Sequence, residues 1–393
     1  MSARYKGPIV DTDVHHRWKN ESEVRSYLPK RWQDFVTADP HNVLSLYPAY
    51  STLGTMFKNK GRMARSYPTD GTDAGSDYGM LKAQLLDRFP YYRAILTHDV
   101  GDFGSHLNQE FAQALCRAVN DWNIDKWLSL DERLYSVIAI PNAVPENSAA
   151  EIRRLGKHDR MVGVLMVGNP LGRPYGDPLY HPIYEAAAEM GLCVTIHPSV
   201  YFHPSDALGI TAGPAGNVTH NNSQRSQQAM HYISSFIVNG VFEKYPDLHV
   251  LIKEYGVAWL PSLMWRLDEN YELFRLESSW VKKRPSDYIR GHVKLSTQPI
   301  EVSPENSEGL TTLLEAIDGM DELLCFSSDY PHITYDDPTY VARQLPAAWL
   351  RKVFCDNACK VYGWDSPGDD INLTAYAESA PRTVAGGASP PRG

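Results

Sequence analysis

Two short strings hold the densest set of side chains able to do chemistry. DTDVHH at 11–16 places Asp11, Asp13 and His15 at alternate positions, and FSSDYPH at 326–332 carries Asp329 and His332. Residues two apart on a strand share a face. Between these strings, VTIHP ends a run at His197 and VLIKEYG carries Glu254. Each of these residues closes an apolar, β-branched run. A lone His or Asp at a strand end has ordinary uses, a helix cap among them. Joint placement sets these residues apart: Asp13, His15, His197 and Asp329 offer the imidazole and carboxylate donors that divalent metals take. They are expected to converge on one metal. A buried carboxylate needs a partner, so Glu254 is expected to be a ligand of a second metal or a general base. Its structural alternative is an ion pair with Arg225 or Arg266.

The elements that must position these residues are repeated strand–helix units. Apolar runs occur at Pro8–Val14, Tyr92–Thr97, Leu134–Ile140, Met161–Val167, Leu192–His197, Leu248–Glu254, His292–Thr297 and Glu322–Asp329. Near-continuous apolar runs suit parallel strands buried on both faces. Helical patterns fall between them at Asn108–Trp127, after Pro145, at Gln227–Glu243 and at Pro304–Ile317. Eight such units predict an α/β fold, a (β/α)8 TIM barrel, whose strand C-termini meet around one pocket. Residues 1–18 supply the first strand. Residues 19–91 form a long insert, rich in Tyr, Trp, Pro and Gly, that is expected to cap the barrel mouth. Residues 92–365 complete the barrel. A second long loop, 198–222, carries His203 and His220. The Pro-, Gly-, Ser- and Ala-rich stretch 366–393 is expected to be a flexible tail.

Composition narrows the function classes. The 393 residues include 43% hydrophobic and 22% charged side chains, ordinary for a globular protein. A net charge of −9 argues against nucleic acid as a partner. No run approaches the ~20 apolar residues of a membrane span, and the first residues lack the apolar stretch of a signal peptide. The expectation is a cytoplasmic protein with a small-molecule substrate, no membrane partner and room for homo-oligomerisation. Five widely spaced cysteines suggest no disulfide framework; Cys355 and Cys359 would share a helix face as small buried side chains. No G-x-S-x-G elbow, Walker loop or G-x-G-x-x-G appears.

Taken with NDW at 120–122, YHPIYEAAAEMGLCVTIHP at 180–198, GVFEKYPDLHVLIKEYGVAWLPSLMWRLD at 240–268 and LSTQPIE at 295–301, the two opening strings resemble the amidohydrolase-related (amidohydrolase 2) family. That family, a branch of the metal-dependent hydrolase superfamily, includes the aminocarboxymuconate semialdehyde decarboxylase. The resemblance covers roughly residues 8 to 363 and implies a (β/α)8 fold with a divalent metal at the strand ends. Its first-strand motif is usually His-x-His; here Asp13 takes the first place and His15 the second. The strand-five His matches His197 and the strand-eight Asp matches Asp329. The sixth strand of the decarboxylase branch often carries an acid/base His, and Glu254 stands there. Two imidazole places have become carboxylates. Carboxylates are harder donors and can bridge, which suits one or two ions of Fe, Mn or Zn.

The resemblance thus implies a metal-dependent hydrolase or lyase, decarboxylase-like, acting on a small or medium organic acid, ester or amide. Glu254 and Asp329 are the catalytic candidates. His231, Gln298 and His332 are candidates for substrate binding or support. The alternative is a non-haem di-iron monooxygenase on the same scaffold, hydroxylating a hydrophobic acyl substrate such as a coenzyme A thioester. His16 and Lys253 are expected to point away from the pocket, being one residue out of step with His15 and Glu254.

Overall fold

In the computed structural model, the described residues are 5–38, 61–99, 102–106, 108–199, 218–303, 305, 306 and 308–368. Eight parallel strands follow one another in chain order around a single sheet. They are β1 (Ile9–His16), β2 (Tyr91–His98), β3 (Leu134–Ala139), β4 (Met161–Val167), β5 (Cys193–His197), β6 (Val250–Ile252), β7 (Val293–Ser296) and β8 (Leu324–Cys325). Backbone bonds across the last gap, Thr12 N–H to Phe326 O at 3.0 Å and Asp329 N–H to Asp13 O at 3.1 Å, tie β8 back to β1. The expected TIM barrel is therefore present. β6 and β8 are shorter than their apolar runs, because the backbone leaves the ladder before Glu254 and before Asp329.

Alternation along the strands divides two apolar layers. Leu251 packs with Val10, Cys193 and Cys325 inside the barrel. Val250 and Ile252 belong to the larger layer between sheet and helices, with Val194, Ile196 and Leu260. The helices are placed by ordinary signals. Asn108 caps Gln109–Asn123 by accepting from Phe111 N–H, and Pro145 and Pro182 stand in the first turns of Pro145–Leu155 and His181–Met190. The expected Gln227–Glu243 helix is two: Val218–Val238 and Val241–Lys244, parted by Gly240 at φ 72°.

Within the insert, Glu21–Arg25 and Lys30–Ala38 are helical, and Trp32 and Phe35 pack on Phe111 of the outer layer. Residues 61–81 run across the ends of β1 and β8: Met63 N–H donates to Pro331 O at 3.0 Å and Arg17 N–H to Gly75 O at 3.0 Å. The middle of the expected cap, 39–60, lies outside the described residues, as do 200–217 with His203, and the tail beyond 368. His220 is exposed. Cys355 and Cys359 are buried with Sγ atoms 3.8 Å apart, and all five cysteines are free thiols.

Candidate metal centre

The strand ends deliver their donors to one buried place. Asp13, His15, His197 and Glu254 offer one ligand atom each within 4.8 Å of one another, and so do His15, Glu254, Asp329 and His332. The two groups share His15 and Glu254. His15 Nε2 stands 3.2 Å from Glu254 Oε1, 3.3 Å from Asp329 Oδ1 and 3.6 Å from Asp13 Oδ2. His197 Nε2 lies 2.9 Å from Glu254 Oε1 and 3.5 Å from Asp13 Oδ2. Its Nδ1 sits 2.8 Å from the Pro198 carbonyl, which turns the other nitrogen inward.

Local backbone explains these positions. On β1 the register shifts between Asp11 and Val14, so Asp13 and His15 face the pocket while Asp11 does not join them. Asp11 braces the sheet instead. Its Oδ1 accepts from Asp13 N–H at 3.1 Å and Ser328 N–H at 3.0 Å, and its Oδ2 from the Tyr91 hydroxyl at 2.9 Å. Burial raises the Asp11 carboxyl to about 7 against those lowering bonds. Glu254 and Asp329 are the two non-glycine residues of the described chain with left-handed backbone, at φ 60° and 57°. Such backbone is costly for side-chain-bearing residues and gathers at functional sites.

Lys253 corrects an expectation. It follows Leu251 in strand register and lies inside the barrel, not in the helical layer. Glu254 is the residue that alternation would send outward, and its left-handed backbone brings it to the pocket instead. His16 does point away, stacking on Trp122 with its Nε2 2.8 Å from Asn123 Oδ1. Burial, the largest influence, holds the His16 ring down at about 4.

The remaining candidates divide. Gln298 is buried and donates from Nε2 to Asp329 Oδ2 at 2.9 Å and Thr334 O at 3.0 Å. His332 hydrogen-bonds Asp329 through Nδ1 and meets Asp99 Oδ1 through Nε2 at 3.1 Å. His231 is exposed on Val218–Val238 and is not among the grouped donors. Arg225 on that helix reaches Glu254 Oε2 at 3.3 Å, whereas Arg266 pairs with Glu269. Thr97, Asp99 and Arg62 escaped the sequence reading. Asp99 is buried, ion-paired to Arg62 and 3.5 Å from Arg17. The end of β2 reads THD at 97–99, the same polar strand end that marked the other four strands.

The residues fit a divalent cation. Asp13 Oδ2 and both nitrogens of His15 are buried without a well-aligned hydrogen-bond partner. Burial works against the charged forms of all these groups, yet mutual attraction prevails. Asp13 is held well below the usual carboxylate range by Lys253, His15 and His197, and Glu254 likewise by His197 and His15. Against the same burial, Asp13 with Asp329 and Glu254 holds His15 well above its usual range, and Glu254 and Asp13 raise His197 to about 9. A pocket that gathers protons onto its imidazoles is one whose carboxylates demand positive charge.

A parallel barrel with buried imidazoles and carboxylates at its C-terminal strand ends defines a metal-binding enzyme scaffold. The amidohydrolase family profile matches residues 12–364, and the chain belongs to that family. Solved structures share the fold. A 5-carboxyvanillate decarboxylase from Novosphingobium aromaticivorans, with bound manganese, is 19% identical at a TM-score of 0.64, over 91% of this chain and 97% of that one. A 2,6-dihydroxybenzoate decarboxylase from Rhizobium is 17% identical at 0.62, over 91% and 99%. An amidohydrolase from Mycobacterium avium subsp. paratuberculosis is 18% identical at 0.65, over 92% and 99%. No curated protein matches the chain significantly. The comparisons lend no support to the monooxygenase alternative or to iron. Among the described residues no helix is long and apolar enough to cross a membrane.

Proposed function

We propose that this chain is a metal-dependent lyase of the decarboxylase kind, or a hydrolase, acting on a small or medium organic acid, ester or amide. The observation that carries the reading is the meeting of Asp13, His15, His197, Glu254, Asp329 and His332 in two overlapping groups at the strand ends. Asp13, His15, His197 and Glu254 are the proposed ligands of one ion, and Asp329 and His332, with the shared His15 and Glu254, would form a second place beside it. Manganese accompanies the 5-carboxyvanillate decarboxylase named above, and Mn or Zn suits this donor set. A bound divalent ion would supply positive charge against a substrate carboxylate and the charge that develops during reaction.

The protein's own groups do the rest. Arg225, beside Glu254 and only partly enclosed, can receive a substrate carboxylate. Glu254, held in its anionic form, would take the proton of the attacking water in hydrolysis and return it to the leaving group, whereas in decarboxylation the carbon that loses CO2 would need a proton delivered to it. His332, poised between Asp329 and Asp99, can pass one to or from the substrate. Gln298 holds Asp329 in place. The part of the insert beside the strand ends, 61–81, is proposed to cover the pocket and exclude water.

The test is substrate screening of protein purified without chelator and reconstituted with Mn2+. Hydroxybenzoates and related aromatic acids are assayed for CO2 release, amides and esters for hydrolysis. Mn2+-dependent loss of a carboxylate is the expected result. Protein that takes up no divalent ion and acts on neither panel would refute the proposal.

A further inference from the structure

Lys253 is completely enclosed, at 0% exposure. Its ammonium Nζ donates to Asp13 Oδ1 at 3.2 Å and Thr97 Oγ1 at 3.1 Å. The Thr97 hydroxyl donates to the same Asp13 Oδ1 at 2.7 Å. The two oxygens of Asp13 are therefore unequal. Oδ1 is committed to two donors of the barrel interior. Oδ2 has none and stands 3.6 Å from His15 Nε2 and 3.5 Å from His197 Nε2.

Register explains the lysine. β2 brings Thr97 level with His15, and β6 carries Leu251 and then Lys253 inward. An aspartate at position 13 sets a formal charge in a 0%-exposed position. A buried charge without a partner is costly, and a neutral imidazole would need no such partner. Lys253 supplies the opposite charge from the side of Asp13 that the imidazoles do not occupy. Nζ has no path to a substrate, because the side chain is wholly enclosed.

We propose that Lys253 is a positioning residue for the metal centre. Together with Thr97 it locks one oxygen of Asp13 into the protein and leaves the other turned toward a divalent ion. The inference rests on the reading of Asp13 as a ligand. It makes aspartate at 13 and lysine at 253 a functional pair, not two independent residues.

Mn2+ is the probe. Its affinity for the full-length wild type, Lys253→Met, Asp13→Asn and the double variant is measured by the electron paramagnetic resonance of the free ion. Lys253→Met is expected to weaken binding by about tenfold or more, as loss of a ligand's supporting partner does. Asp13→Asn is expected to do so too. Because the lysine acts only through the carboxylate, the double variant should bind within about threefold of Asp13→Asn. The bound-Mn2+ spectrum of Lys253→Met should also change, which a lysine that merely fills space would not cause. Affinity within about twofold of wild type, or losses that multiply in the double variant, would overturn the pairing. If Lys253→Met yields no folded protein, Thr97→Val carries the same comparison. A loss seen in the wild-type background and absent in the Asp13→Asn background supports the pairing, and unchanged affinity overturns it. A wild type that binds no Mn2+ refutes the metal reading itself, and this inference with it.

Discussion

Glu254 and Asp329 place their carboxylate oxygens 3.2 and 3.3 Å from one nitrogen, His15 Nε2, and both do so from left-handed backbone. The two strands that bear them end early, and in each the chain turns where a carboxylate enters the pocket. Such backbone costs on the order of 1–3 kcal/mol per residue and gathers at functional sites.

Glu254→Gln keeps shape and hydrogen bonding but removes the charge. Activity should fall about a hundredfold or more, the scale of a lost acid/base group, while the metal-free variant unfolds at nearly the temperature of the metal-free wild type. Metal per chain should also drop. Retained activity with lower stability would reduce Glu254 to an ion-pair partner of Arg225.

Removing metal should destabilise the fold. Carboxylates crowded around His15 gain from a cation bound only by the folded state. At a hundred times its dissociation constant an ion adds about 2.7 kcal/mol. Differential scanning calorimetry after chelation, and again after adding Mn2+, measures this. An unchanged melting temperature would mean no ion binds there.

Asp99→Asn leaves His332 Nε2 without its anionic partner while keeping the side chain's shape. If His332 serves the metal or carries protons, metal affinity or turnover should drop ~10–100-fold. Isothermal titration with Mn2+ and steady-state kinetics report the two separately. Wild-type values in both would confine the Arg62–Asp99–His332 chain to a structural role.

Arg225→Gln should raise KM for carboxylic acid substrates about tenfold or more, as expected for a lost charged hydrogen bond of ~1.5–3 kcal/mol, with a smaller change in kcat. An equal fall in kcat at constant KM would instead place Arg225's effect on Glu254.

His249, just before β6 and away from the pocket, should make the fold acid-sensitive. Burial, aided by Lys294 and His292, lowers its ring from 6.5 to about 4. The folded state thus refuses a proton that the unfolded chain accepts between those values. Stability is present above pH 6.5 and is lost as pH falls toward 4. Chemical denaturation at several pH values should show a shallower decline for His249→Gln. An identical slope would show that the ring titrates alike in both states.

Much of this protein was legible in its sequence because the signals were local. Apolar runs of strand length, each followed by a helical pattern, set the number and order of the barrel strands. Polar residues closing those runs marked Asp13, His15, His197, Glu254 and Asp329, since strand ends of a parallel barrel face one pocket whatever the loops do. Tertiary structure decided what depends on contacts between distant segments. Alternation counted from Glu254 put Lys253 on the outer face. The left-handed turn at Glu254, invisible in residue types, reverses that and sets Lys253 against Asp13, 240 positions away in the chain. His231 has a suitable side chain, but the turn of its helix leaves it exposed. Asp99 gains its place only because Arg62 and Arg17 are folded onto it from the insert and from the end of β1. Residue type and spacing select which groups can meet; the closing of the sheet and the local twist of its strand ends determine which of them do.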